Sequence, residues 1–219
     1  MTEPRPPIVL DLDGVVLQTN FVKHSAMLSL FEVDDCRKTE ISEYILANGG
    51  VRRDHKILHI LRTILKNPES EHALPRYLQA YSAKLERALP AAPLVPGIKE
   101  FVQNSGYTFY ISSSAPEPEI DLQLRSRGLA EFFEVAFGAS TPKSEALSTV
   151  RTKWPRWPPV FFGDSVGDLE AAAAAHAPFV AVICERDNFQ GVPVRKLRDF
   201  TSPDAVHDCI KAVSQDAAV

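Results

Sequence analysis

Apolar residues along this chain follow two rhythms, and the change between them divides the sequence into regions. The first strong signal is Ile8-Val9-Leu10, an unbroken run of branched side chains closed by Asp11-Leu12-Asp13-Gly14. It predicts a strand buried on both faces that ends in two acids and a sharp turn. After Gly14 the spacing becomes helical for roughly eighty residues. Lys23 to Phe31, Thr39 to Leu46, His55 to Leu65 and Leu74 to Leu89 carry apolar positions three and four apart. Helix stops fall between them at Asn48-Gly49-Gly50, Asn67-Pro68 and Pro90-Ala91-Ala92-Pro93.

From Pro96-Gly97 onward the rhythms alternate. Helices over Ile98–Gln103, Glu119–Arg127, Ser144–Arg151 and Leu169–Ala175 interleave with strands over Tyr107–Ile111, Glu134–Phe137, Val160–Phe162 and Phe179–Ile183, the last strong strand. Ser202 and Pro203 are the N-cap and first residue of a closing helix, read as a packing element. Such alternation predicts an α/β fold, a doubly wound parallel sheet with right-handed crossovers and helices on both faces. The predicted core comprises residues 1–17 and 95–219, with an inserted all-helical cap over 18–94.

Composition narrows the function rather than the fold. An apolar content of 45% suits a globular domain. A formal charge of -4, with no basic run longer than Arg52-Arg53 or Arg195-Lys196, argues against nucleic acid as a partner. Met1-Thr2-Glu3-Pro4-Arg5-Pro6-Pro7 lacks the apolar core of a signal peptide, and no apolar run approaches membrane-spanning length. Cys36, Cys184 and Cys209 are odd in number and far apart, which predicts thiols in a reducing, cytoplasmic setting rather than a disulfide frame. A monomer or weak dimer is expected.

Reactive residue types recur at the predicted strand ends. Asp11 and Asp13 follow the first strand, Ser112 with Ser113 and Ser114 the second, and Gly163-Asp164-Ser165-Val166-Gly167-Asp168 a later one. In a doubly wound sheet this is the edge at which ligands bind. Two carboxylates as close as Asp11 and Asp13 repel unless a divalent metal, a phosphorylated substrate with its proton, or both lie between them. Together with Asp164 and Asp168 they could offer hard oxygen ligands to Mg2+. The competing readings are a turn with two solvated acids and a helix whose N-terminus is capped by acids. Lys143, in Thr141-Pro142-Lys143-Ser144, stands at a helix entry where a cation is favourable only beside an anion.

Asp11-Leu12-Asp13-Gly14, Ser112, Lys143 and Gly163-Asp164 through Asp168 resemble, in that order, the four motifs of the haloacid dehalogenase superfamily, over nearly the whole chain. The helical insertion resembles the subfamily-I cap of sugar-phosphate phosphatases and beta-phosphoglucomutases. The resemblance implies that Asp11 is the nucleophile forming an aspartyl-phosphate and that Asp13 is the general acid and base. It implies Mg2+ on Asp11, the Asp13 carbonyl and Asp164, with Asp168 binding the metal or its water, and Ser112 and Lys143 holding phosphoryl oxygens. An acid at Asp13 sets the chain apart from dehalogenases and points to phosphoryl transfer on a small phosphate ester, a sugar phosphate being the first expectation. A phosphomutase and a non-catalytic binding protein are the alternatives.

Three positions depart from the pattern. Pro142 precedes Lys143 where proline commonly follows the lysine, Ser113 competes with Ser112 for phosphate, and His176-Ala177-Pro178 replaces the usual Ala-Gly. In the cap, Asn48-Gly49-Gly50-Val51-Arg52-Arg53 resembles the substrate-reading loop, with Arg52 and Arg53 as candidate substrate-binding cations; a solvated basic turn is the competing reading.

Overall fold

A computed structural model describes residues 5–216; Met1 to Pro4, part of the segment expected not to be a signal peptide, lie outside the described residues. The chain forms two compact units. One runs up to Gln18 and resumes at Pro93, and the other is Thr19–Ala92. In the first unit β1 (Ile8–Leu10) is fully buried, as an unbroken run of branched apolar side chains requires.

The second unit is all helical: α1 (Asn20–Leu28), α2 (Asp35–Ala47), α3 (Arg53–His59) and α4 (Ser70–Ala88). Its own core gathers Met27, Phe31, Ile41, Ile45, Ile57, Ile60, Leu61, Ile64, Tyr81 and Leu85. Observed helix starts precede the predicted ones, because apolar spacing does not report the polar first turn. Asp34 accepts a bond from the Arg37 amide at 2.9 Å and so starts α2 ahead of Thr39. α4 likewise starts at Ser70 rather than Leu74 and carries Pro75 inside it. The helix predicted over His55 to Leu65 is α3 followed by a wider π turn, Ile60–Ile64, in which the Leu65 amide bonds the Ile60 carbonyl at 2.9 Å. The turn keeps Ile60, Leu61 and Ile64 all buried.

The first unit continues with α5 (Ile98–Asn104), β2 (Phe109–Ser112), α6 (Glu117–Arg125), β3 (Phe133–Phe137), α7 (Lys143–Lys153), β4 (Val160–Gly163), α8 (Val166–Ala174), β5 (Phe179–Val182), β6 (Arg195–Leu197) and α9 (Pro203–Asp216). The six strands form one parallel sheet ordered β3-β2-β1-β4-β5-β6. Successive side chains alternate between its faces. Ile8 and Leu10 join one core layer with residues of α5, α6 and α9, whereas Val9 joins the other with residues of α7 and α8. A fully buried side chain of this kind contributes about 1.5–3 kcal/mol, so both faces are anchored strongly. The Ser202 hydroxyl accepts from the Ala205 amide at 3.4 Å at the start of α9. The sixth strand was not expected: Arg195-Lys196-Leu197 is short, charged and at the sheet edge, and only Leu197 is buried.

Chain progression reverses at β1. The chain builds outward through β2 and β3, then returns to β4 on the other side of β1. The carboxyl ends of β1 and β4 therefore flank the crevice where such sheets bind ligands.

Candidate active site

Strand register brings the predicted residues to this crevice. Leu10 pairs with Phe162 and with Ile111, so Asp11 stands one step beyond β1, level with Gly163 on one side and Ser112 on the other. The Asp11 amide bonds the Phe162 carbonyl at 2.9 Å, which fixes this backbone to β4. The chain then turns tightly at Gly14, whose φ of 77° suits glycine and whose amide bonds the Leu17 carbonyl at 2.7 Å. Asp13, half-buried, sits in this turn.

Lys143, the first residue of α7, reaches Asp11 Oδ1 at 3.0 Å and Asp168 Oδ1 at 2.5 Å. Its position at a helix start is thus explained by two carboxylates. The Leu12 amide adds a second bond to Asp11 Oδ1 at 2.8 Å. Both contacts fall on one oxygen, and Oδ2 has no hydrogen-bond partner among the described residues. Burial, opposed by Lys143 and reinforced by the charges of Asp168 and Asp13, pushes the Asp11 carboxyl up to about 7. Burial by itself would lower the lysine, but Asp11 and Asp168 hold its ammonium well above the ordinary lysine range.

Asp11, Asp164 and Asp168 are all buried and offer carboxylate oxygens within 4.8 Å of one another. Three buried acids around one ammonium leave an excess of negative charge, and hard oxygens are the donors Mg2+ takes, so the set fits that ion. Asp164 and Asp168, four residues apart, do not share a helix turn. Asp164 precedes the helix, and Ser165 is the N-cap of α8. The Ser165 hydroxyl accepts from the Asp168 amide at 3.2 Å, while Asp168 Oδ2 accepts from the Ser165 hydroxyl at 2.7 Å and from the Ser165 and Asp164 amides at 3.0 and 3.2 Å. With Lys143 on its other oxygen, Asp168 braces the loop that carries Asp164. Ser165-Val166-Gly167-Asp168 is a capping-box sequence, the signal that could have found this bracing beforehand. Gly163 has to be glycine, because a Cβ there would lie 2.4 Å from Asp168 Cβ.

Ser112 and Ser113 are both buried at the end of β2. The Ser113 hydroxyl accepts from the Ala115 amide at 3.1 Å, a local turn bond, and no hydrogen bond of the Ser112 hydroxyl is seen among the described residues. Arg52 and Arg53 belong to the helical unit. Arg52 forks onto Asp54 at 3.0 and 3.2 Å, and the Arg53 guanidinium lies 5.3 Å from the centre of the Tyr81 ring. In His176-Ala177-Pro178, His176 takes a φ of 50° just after α8. The His176 and Ala177 amides bond the Ala173 and Ala172 carbonyls at 3.1 and 2.9 Å, a Schellman closure with histidine in the left-handed position.

The family model for haloacid dehalogenase-like hydrolases matches residues 8–182. No curated protein matches the chain. Among solved structures, a predicted phosphoglycolate phosphatase from Haemophilus somnus is 17% identical with a TM-score of 0.74, over 94% of this chain and 100% of that one. A beta-phosphoglucomutase from Clostridium difficile is 14% identical with a TM-score of 0.69, over 95% and 98%. A Bacillus subtilis structure described as a HAD-hydrolase bound to magnesium is 18% identical with a TM-score of 0.66, over 94% and 99%. At such identities the likeness is one of fold.

Proposed function

The chain belongs to the haloacid dehalogenase-like hydrolase family, and on that basis we propose that it is a Mg2+-dependent phosphatase of a small phosphorylated metabolite, a sugar phosphate in the first instance. The observation that carries this reading is the state of Asp11: buried, held at one oxygen by Lys143 and the Leu12 amide, with the other oxygen unpartnered. A nucleophile needs one fixed orientation and one lone pair not taken up by a hydrogen bond, and among the described residues this carboxylate has both.

Asp11 Oδ2 attacks phosphorus and the bond to the ester oxygen breaks, giving an aspartyl-phosphate. Asp13, in the Gly14 turn, gives its proton to the departing alkoxide and then takes one from the water that hydrolyses the acyl phosphate. Ser112 and the Lys143 ammonium hold the transferring oxygens, with Ser113 supporting the turn beside them. Asp11, Asp164 and the Asp13 carbonyl, with Asp168 behind them, would hold Mg2+, which when bound offsets the carboxylate charge that otherwise repels a phosphate dianion. Arg52 and Arg53 are the residues of the helical unit assigned to the leaving group. A reducing, cytoplasmic setting is part of the same proposal, from three cysteines odd in number and far apart in sequence.

Phosphate release from a panel of sugar phosphates and other small esters, with Mg2+ and in excess EDTA, tests the proposal. Release that stops on chelation and returns with Mg2+ is expected. Undiminished turnover in EDTA sinks the metal assignment, and an isomeric phosphate seen by NMR in place of free phosphate makes the chain a phosphomutase.

A further inference from the structure

The loop between β5 and β6 carries no motif, yet three consecutive residues in it are each tied down. The Asp187 carboxylate accepts from the Phe189 amide and from Lys196 Nζ, both at 2.8 Å, and so shapes the loop and moors it to β6. Phe189 is fully buried in the core layer shared with α7 and α8, its ring 5.7 Å from that of Phe179. Between these two anchors, Asn188 Nδ2 donates to the Asp164 carbonyl at 2.8 Å.

That bond completes a pattern around Asp164. Asp168 Oδ2 already takes the Asp164 amide at 3.2 Å and the Ser165 amide at 3.0 Å. The peptide linking Asp164 to Ser165 is thereby held at its N–H by Asp168 and at its C=O by Asn188. The preceding peptide is held at its own N–H. With both flanking peptides fixed, the Cα–Cβ bond of Asp164 has one direction left, and its carboxylate meets those of Asp11 and Asp168. We infer that Asn188 is a positioning residue for metal binding, acting on the cation solely through the backbone of Asp164. The inference rests on the Mg2+-dependent reading above. Its physical basis is that partners one step behind the ligands set their orientation, so that losing one typically costs ten- to a hundredfold in metal affinity.

The test uses the metal-free full chain, with Mg2+ titrated in by calorimetry, thermal unfolding before metal is added, and p-nitrophenyl phosphate turnover against Mg2+ concentration. Asn188→Ala removes donor and volume, and Asn188→Leu removes the donor while keeping the branched shape and adding bulk, so an effect common to both belongs to the lost bond. Both variants should need roughly 10- to 100-fold more Mg2+ by calorimetry and in turnover, and recover near wild-type kcat when saturated. The metal-free melting temperature should fall by no more than about 4 °C, as for one lost hydrogen bond in a chain of this length. Wild-type Mg2+ affinity in both variants overturns the inference, as does a kcat loss that saturating Mg2+ leaves in place. A wild-type chain that takes up no Mg2+ would instead refute the metal reading itself, and this inference with it.

Discussion

In the helical unit the ion pairs Arg37–Glu40 and Arg62–Glu71 are made by side chains at least 44% exposed, whereas in the α/β unit Lys143 is 12% exposed against Asp11 at 7% and Asp168 at 0%. Solvent screens the first kind of pair, so breaking it changes little. The second kind is costly to assemble and costly to break, because each member has lost its water. Among the described residues the helical unit buries one charged side chain, Lys56, which bonds the Gly49 carbonyl at 3.0 Å. The lesson is a division of labour within one chain. Buried charge is concentrated where covalent chemistry is proposed, and the two exposed pairs of the helical unit lie on its surface.

The sharpest way to break this contrast is Asp11→Asn. The amide keeps the shape of the carboxylate but is not a nucleophile, so turnover should fall by about a thousandfold or more while circular dichroism shows the fold intact. A normal rate, or phosphate trapped on another residue, would move the chemistry elsewhere.

Lys143→Met comes next, because it leaves Asp11 and Asp168 facing each other without the cation. A loss of about 3–5 kcal/mol in stability is expected for the metal-free protein, with turnover lost as well. The pH dependence has a definite sign. Asp11 titrates near 7 when folded, against 3.8 as a free side chain, so between those values the folded state holds a proton that the unfolded chain has released. Raising the pH through that window therefore costs stability, and the full cost is present above about 7. Thermal unfolding of metal-free wild type should show a lower melting temperature at pH 7.5 than at pH 5, and Lys143→Met should steepen the decline. A flat profile in both proteins would place the Asp11 carboxylate in contact with water.

How much of this arrangement could be read from sequence depends on whether the cause is local. β1 and the acids after it were legible because three buried branched residues and a glycine turn leave the chain few alternatives. The meeting of Lys143 with Asp11 and Asp168 is a tertiary event, visible beforehand only as a cation at an unfavourable helix end. β6 escaped because its pairing with β5 is made by backbone, with charged side chains outside. Ser112 and Ser113 could not be told apart by a strand pattern, since the distinction is a turn bond from Ala115. Asn188 left no trace at all, as its partner is a main-chain carbonyl 24 positions away.

Arg53→Ala sharpens the contrast from the other side. If the helical unit reads the leaving group, kcat/KM on the true sugar phosphate should fall ten- to a thousandfold, as for one or two charge-assisted hydrogen bonds at about 1.5–3 kcal/mol each. Hydrolysis of p-nitrophenyl phosphate, which has no hydroxyls for Arg53 to bind, should change little. Equal losses on both substrates would give Arg53 a structural part through Tyr81, over whose ring it lies.

The smallest effect separates the units most cleanly. Among the described residues each contains one residue other than glycine in the left-handed region at a helix end, Lys66 in the helical unit and His176 in the α/β unit, both with φ of 50°. Both side chains are exposed, so replacement by glycine forfeits little packing. The backbone bonds at each site remain, including the one the His176 carbonyl accepts from Arg151 at 2.9 Å. Glycine relieves the clash of Cβ with the backbone but loosens the unfolded chain, and the balance should favour the folded state by about 0.5–1 kcal/mol at each position. That corresponds to a rise of about 1–4 °C in the melting temperature of whatever cooperative block contains the residue. If the two units unfold together, Lys66→Gly and His176→Gly should each raise the same single transition, and the double variant should add them. If they unfold separately, each substitution moves its own transition and leaves the other in place. Turnover should be unchanged in both variants, since neither side chain belongs to the site, and a fall in either would show that the strained turn itself serves the chemistry.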